Sequence, residues 1–264
     1  MIEGGFMVSR KSFICLQAWL LLFAFMLPGF GNTCDSTCTA NFNVLKKSDL
    51  GIGAGWVDMK TLNDKLSSLG LSEFKSYGLS LDLEHQTVIN RMMLGGEIKG
   101  LFFKSTLTGN TMSSFMAGEI FMKSGFNVIN TEHANVYPYL GLGAGLMNLV
   151  IGSKDTPFDS AMVRPTTNMS LYQARFLIDL GIGFDLLGGP NSSRLGLLGL
   201  RAGYTFDPTK SDRWMRDGLY VTDAPQPTLN GAYVMVTIGG ASRKSVNMKD
   251  WKRHHENSHH DESE

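Results

Sequence analysis

From about residue 44 to residue 242, apolar residues recur at every second position. In 172–188, Phe176, Ile178, Leu180, Ile182, Phe184 and Leu186 share one face, while Arg175, Asp179, Gly181, Gly183 and Asp185 share the other with Leu177. The segment 195–208 sets Leu198, Leu200, Ala202, Tyr204 and Phe206 against Gly199, Arg201, Gly203 and Thr205. Leu79, Leu81 and Leu83 oppose Ser80, Asp82 and Glu84; Leu140, Leu142, Ala144 and Leu146 oppose Gly141, Gly143 and Gly145. Successive side chains of a β-strand point to opposite faces, so this period predicts strands with one apolar face. Eight are expected, at 44–59, 76–90, 91–105, 111–129, 136–151, 172–188, 195–208 and 229–242. A helical pattern stands out once, at Thr61 to Phe74, with Leu62, Leu66 and Leu69 spaced as on a helix and Thr61 placed to cap it.

The connections alternate in length. Those at 60–75, 152–171 and 209–228 are long, with a shorter one at 106–110 on the same side; those at Asn90-Arg91, 130–135 and 189–194 are short. An even strand number with short turns at one end and long loops at the other is the pattern of transmembrane barrels. Trp56, Tyr77, Phe102, Tyr172, Tyr204 and Phe206 all have apolar-face parity and lie near the long-loop ends, where an interfacial girdle belongs. The predicted fold is all-β: an eight-stranded antiparallel up-and-down transmembrane β-barrel with one short helix in the first outer loop.

Parity then assigns the chemistry of the interior. Asp82, Glu84, Glu97, Lys99, Glu119, Lys123, Arg175, Asp179, Asp185 and Arg201 share the glycine face and are expected to form a lumen charge network. An eight-stranded barrel is only wide enough inside for side chains. A salt-bridged plug is therefore favoured over a proton or ion path. The repeated Gly-x-Gly runs at Gly51, Gly141 and Gly181 open no helix within a βαβ unit, so a nucleotide site is not expected.

Composition adds location. Charged residues are 18% of the chain, low for a soluble protein, and 24 basic residues balance 24 acidic ones, which removes the field that nucleic acid would require. Arg10 and Lys11 precede an apolar run from Phe13 to Leu27, and Pro28-Gly29-Phe30-Gly31 supplies small residues for cleavage before Asn32. The expected division is a signal peptide at 1–31, a periplasmic leader at 32–43, the barrel at 44–242 and a charged, His-rich tail at 243–264. Cys34 and Cys38 fit a local disulfide, and lipidation at Cys34 is the rival reading. His254, His255, His259 and His260 in the tail are imidazoles of the kind that bind transition metals, yet a solvated tail is the preferred reading.

No catalytic constellation is expected. A lipid-modifying barrel needs a base beside a nucleophilic serine near the outer rim, and His85 and His133 both fall in the inner half. The loop 209–228 carries Arg213, Trp214, Arg216 and Tyr220, residue types that dominate binding hot spots.

Gly53-Ala54-Gly55-Trp56, Leu62-Asn63-Asp64-Lys65-Leu66, Leu69-Gly70-Leu71, Leu94-Gly95-Gly96-Glu97, Leu140-Gly141-Leu142-Gly143-Ala144-Gly145 and Gly231-Ala232-Tyr233 to Ile238-Gly239-Gly240 together resemble the outer-membrane β-barrel domain proteins common in Bacteroidetes and related bacteria. The resemblance covers about 44–242 and departs at the charged tail. It implies the barrel fold and an outer-membrane location, and implies no activity. The expectation is a non-enzymatic barrel with outer-membrane lipid as a partner and no cofactor. Its long outer loops would meet an extracellular ligand or surface partner. A lipid-modifying enzyme and a soluble lipocalin-like carrier are the alternatives.

Overall fold

In a computed structural model of the chain, residues 41–153, 169–191, 194–209, 213–221, 224–225 and 227–247 are described. The signal segment, Cys34 and Cys38, residues 154–168 of the third outer loop, and the tail from residue 248 lie outside them.

The elements are β1 (Asn41–Trp56), α1 (Lys60–Ser68), β2 (Tyr77–Ile89), β3 (Met92–Phe102), β4 (Thr106–Thr108), β5 (Thr111–Phe126), β6 (Ile129–Asn130), β7 (Ala134–Ser153), β8 (Met169–Asn191), β9 (Arg194–Phe206), β10 (Trp214–Arg216), β11 (Leu219–Val221) and β12 (Gly231–Asn247). The long strands pair in chain order, β1-β2-β3-β5-β7-β8-β9-β12, each antiparallel to the next. β12 pairs with β1 from Asn41↔Asn247 to Gly55↔Tyr233, which closes an eight-stranded barrel without free long edges. The closure is staggered. The row of paired residues that starts at Gly188 on β8 passes through Gly196, Gly240, Ser48, His85, Gly96, Met122 and Leu142 and returns to β8 at Ile178. Such stagger accompanies strand tilt, so each row climbs obliquely around the wall.

All eight expected strands form, with shifted ends. β1 begins at Asn41, inside the expected leader, and stops at Trp56, with Val57 and Asp58 still bonded in register to Ser76 and Asn230 before the chain turns to the buried Met59 and α1. β12 runs to Asn247, past the expected boundary at 242, since β1 offers a partner as far as Asn41. The helix is shorter than expected. Thr61 is not its cap: Met59 holds the N-cap position without a side-chain bond. Gly70, at φ +70, ends it, with Gly70 N–H on Ser67 O and Leu71 N–H on Leu66 O. Leu62 and Leu66 are buried, whereas Leu69 lies beyond the helix and is exposed. The loop at 209–228 contains a hairpin, β10–β11, built on Asp217-Gly218 with both residues at positive φ, the two-residue turn that suits strand twist.

The apolar face points outward all the way round. Leu50, Ile52, Leu81, Leu83, Ile98, Ile120, Phe176, Leu180, Leu198, Leu200, Val236 and Ile238 are all exposed. Trp56, Tyr77, Phe102, Tyr172, Tyr204 and Phe206 are exposed near the end that carries the long connections, hereafter the upper end. The interior is layered. Below the upper mouth, Met59, Leu62 and Leu66 of the α1 segment, with Phe74 and Trp214, pack on the inward residues Leu101, Phe115, Phe121, Met147, Leu149 and Leu177. Asn63 fixes the loop to the helix by exchanging two 2.9 Å bonds with the Phe74 backbone. At the lower end Leu45, Val88, Met93, Tyr137, Tyr139, Leu187 and Leu197 form a second apolar layer. The buried charged residues, apart from Arg175 and Asp207, lie between the two.

Candidate functional site

Every one of the ten residues assigned to the lumen is buried, as is Asp207 just beyond β9, and two further charges, Lys47 and Asp49 of β1, join the network. Both share the inward parity of Gly51, Gly53 and Gly55, which is the signal that identifies them. Three clusters form around the cations. Arg201 reaches Asp49 at 2.8 Å and Asp82 at 3.5 Å and donates to Glu84, which also accepts from Gln86. Lys123 lies 2.8 Å from Glu97, with Asp179 at 3.6 Å and Glu84 at 3.7 Å. Lys99 lies 2.8 Å from Glu119 and donates to Thr205 at 3.2 Å. At the lower edge Lys47 meets Asp185 at 2.5 Å, and the Tyr137 hydroxyl donates to the same carboxylate at 3.2 Å.

Tyrosines stitch the clusters together. Tyr233 donates to Asp179 at 2.8 Å, and the Tyr139 hydroxyl lies 2.7 Å from that of Tyr233. Tyr137, Tyr139 and Tyr233 also lie under Lys47, Lys123 and Lys99, with each ammonium between 4.2 and 4.4 Å from a ring centroid. Each of these rings stands opposite an inward glycine of the neighbouring strand: Gly183, Gly181 and Gly203. A Cβ at any of the three would collide with the ring. The glycine face is therefore the space into which the tyrosines fold.

Arg175 departs from expectation. It does not join the central network but reaches upward, donating to the carbonyls of Thr209 and Pro227 at 2.7 and 2.8 Å and facing Asp207 at 3.6 Å. It ties the last long connection to the barrel wall.

In the central layer, seven carboxylates (Asp49, Asp82, Glu84, Glu97, Glu119, Asp179, Asp185) face four cations (Lys47, Lys99, Lys123, Arg201). Among the described residues, Asp82, Glu84 and Glu97 are the set whose carboxylate oxygens approach within 4.8 Å, the spacing of a metal site. Arg201 and Lys123 already stand among them, so the chain's own cations take the place a metal would fill. The internal hollow beside Lys99, Glu119 and Tyr233 measures about 10 Å³, room for about one water and no organic ligand.

Of the four candidate loop contacts, Trp214 is a correction. It is fully buried in the upper layer and donates from Nε1 to Pro225 O at 2.7 Å, so it packs the loop and presents no surface. Arg213 stacks on Tyr220 at 5.5 Å, Arg216 faces Asp217 at 3.5 Å, and Leu219 and Tyr220 are exposed at the hairpin tip. His85 lies on the outer face as expected, with its Nδ1 2.7 Å from Ser48 Oγ. Its chain neighbour Glu84 points into the lumen.

No protein-family profile and no curated protein matches the sequence. Among solved structures the chain is similar to Ail, the attachment invasion locus protein of Yersinia pestis, in complex with the heparin analogue sucrose octasulfate (11% identity, 75% of this chain and 98% of that one, TM-score 0.41). It is also similar to a major outer membrane protein of Thermus thermophilus (10% identity, 75% and 99%, TM-score 0.40). A third is Neisserial surface protein A (13% identity, 77% and 98%, TM-score 0.37).

Proposed function

We propose that the chain is an integral outer-membrane barrel without enzymatic activity, whose upper loops carry a structural or surface-interaction role. The observation that supports this is the inversion of the surface. Large aliphatic and aromatic residues cover the outside of the wall, while the charges of the central network are sealed within. An apolar belt of that extent is insoluble in water and matches the hydrocarbon of a bilayer. Lipid is then the barrel's first partner. The upper end, with α1 and the β10–β11 hairpin, faces the outside of the cell. The carrier reading is disfavoured because the apolar faces point out and the hollow within is too small for a ligand.

The test joins fractionation to topology. The mature chain is expected in the outer-membrane fraction, with gel mobility that changes on heating. In a background where Cys15, Cys34 and Cys38 are serine, Tyr220→Cys is expected to react with a membrane-impermeant maleimide on whole cells, and Arg91→Cys only after lysis. A soluble periplasmic chain, or the opposite labelling, overturns the proposal.

A further inference from the structure

We infer that the outer wall across β9, β12, β1 and β2 is a built site for one anionic phospholipid; the inference rests on the membrane reading above. Read upward, the outward residues of β1 are Lys46, Ser48, Leu50 and Ile52, all exposed. That order, cation, hydroxyl, apolar, apolar, is the order of chemistry along a phospholipid from phosphate through ester to acyl chain.

The neighbouring strands extend the same order. At the lowest level Lys46 pairs across Ser242 with Arg194, and all three are exposed. Two strand spacings, about 10 Å, separate the cations, a span that their long side chains close on one phosphate. At the next level Ser48 is bonded to His85, the polar pair of the ester level, and the row continues into Gly240 on one side and Gly96 on the other. A Cβ at either glycine would meet nothing nearer than 3.7 Å, so no contact within the protein requires glycine there. Above this row lies an open hollow of about 450 Å³ whose outward walls are Leu50, Ile52, Leu81, Leu198, Val236 and Ile238, with the inward-facing Gly51, Asp82 and Thr237 at its floor. Because rows climb obliquely, the hollow continues upward from the Ser48 level as a chain tilted with the strands would. The charge of Lys46 and Arg194 selects an anionic headgroup over a zwitterionic one.

The test uses the full mature chain in nanodiscs of equimolar dioleoyl phosphatidylglycerol and dioleoyl phosphatidylcholine, released into native mass spectrometry. The wild type is expected to retain phosphatidylglycerol over phosphatidylcholine by about tenfold, since each interfacial cation contributes a several-fold preference. Lys46→Ala with Arg194→Ala is expected to lose that preference, and Val236→Trp, which fills the hollow, to lose retention of either lipid. Both variants keep heat-modifiable mobility, which separates loss of the site from loss of the fold. Equal retention of the two lipids by the wild type, or an unchanged preference in the double variant, overturns the inference and leaves the barrel standing. Equal capture of free glycerol phosphate by detergent-solubilised protein assigns the site to phosphate and also overturns it. A wild-type chain that enters no nanodisc overturns both readings.

Discussion

Arg201 holds one side of the lumen together: Asp49 lies on β1 and Asp82 and Glu84 on β2, while Arg201 itself comes from β9. Replacing a whole buried ion cluster with apolar residues is often neutral, but removing one partner leaves uncompensated charge. Arg201→Ala is therefore expected to cost about 3–5 kcal/mol, read by urea unfolding of the protein folded into lipid vesicles. A loss below about 1 kcal/mol, the worth of a solvent-exposed pair, would show that water already solvates these carboxylates. At this scale the sequence is legible through parity. Aspartate, glutamate, lysine and arginine on a glycine face have nowhere to go but inward. Parity misplaces Arg175 because alternation specifies the face and says nothing of height: near the upper end, an inward arginine finds loop carbonyls rather than carboxylates.

At the scale of elements, the upper layer separates packing from display. Trp214 fills the mouth beside Leu62 and Leu66, whereas Tyr220, in the same hairpin, is exposed. Trp214→Ala is expected to cost about 3–5 kcal/mol, as for large aromatic residues in cores, while Tyr220→Ala leaves the unfolding midpoint unchanged. Equal shifts in vesicle unfolding would refute this division of the loop. A second comparison tests the wall. Leu200, at mid-strand on the outer face, is expected to lose about 2–4 kcal/mol on replacement by arginine. Leu219→Arg, at the hairpin tip, is expected to fold as the wild type does. Equal folding yields into vesicles would place the membrane elsewhere on the molecule. The strands are readable because one face meets a uniform environment and so keeps period two. The β10–β11 hairpin and the end of α1 are not, since Trp214 and Leu69 are both apolar loop residues and only three-dimensional packing decides which of them is covered.

For the whole molecule, the layered interior predicts a closed barrel. An ion crossing it would pass two apolar layers and, between them, a network in which the four central cations already lie against carboxylates. Planar-bilayer recordings of pure protein are expected to show no stable large conductance steps, because eight strands leave a lumen filled by side chains; reproducible open-pore steps would contradict the packing.

The same network also bears on how the barrel is assembled. Besides the adjacent-strand pairs Lys99–Glu119 and Lys123–Glu97, it has bonds that skip strands: Lys47 of β1 meets Asp185 of β8, Arg201 of β9 meets Glu84 of β2, and Tyr233 of β12 meets Asp179 of β8. The strand seam between β1 and β12 lies among these partners. A sheet of the same strands left unrolled, or closed one register out, could keep most of its backbone bonds yet would strand charges from the first strands without their counterparts from the last. The interior thus works as a checksum on strand order and register, with correct closure the arrangement in which the greatest number of buried charges find their partners.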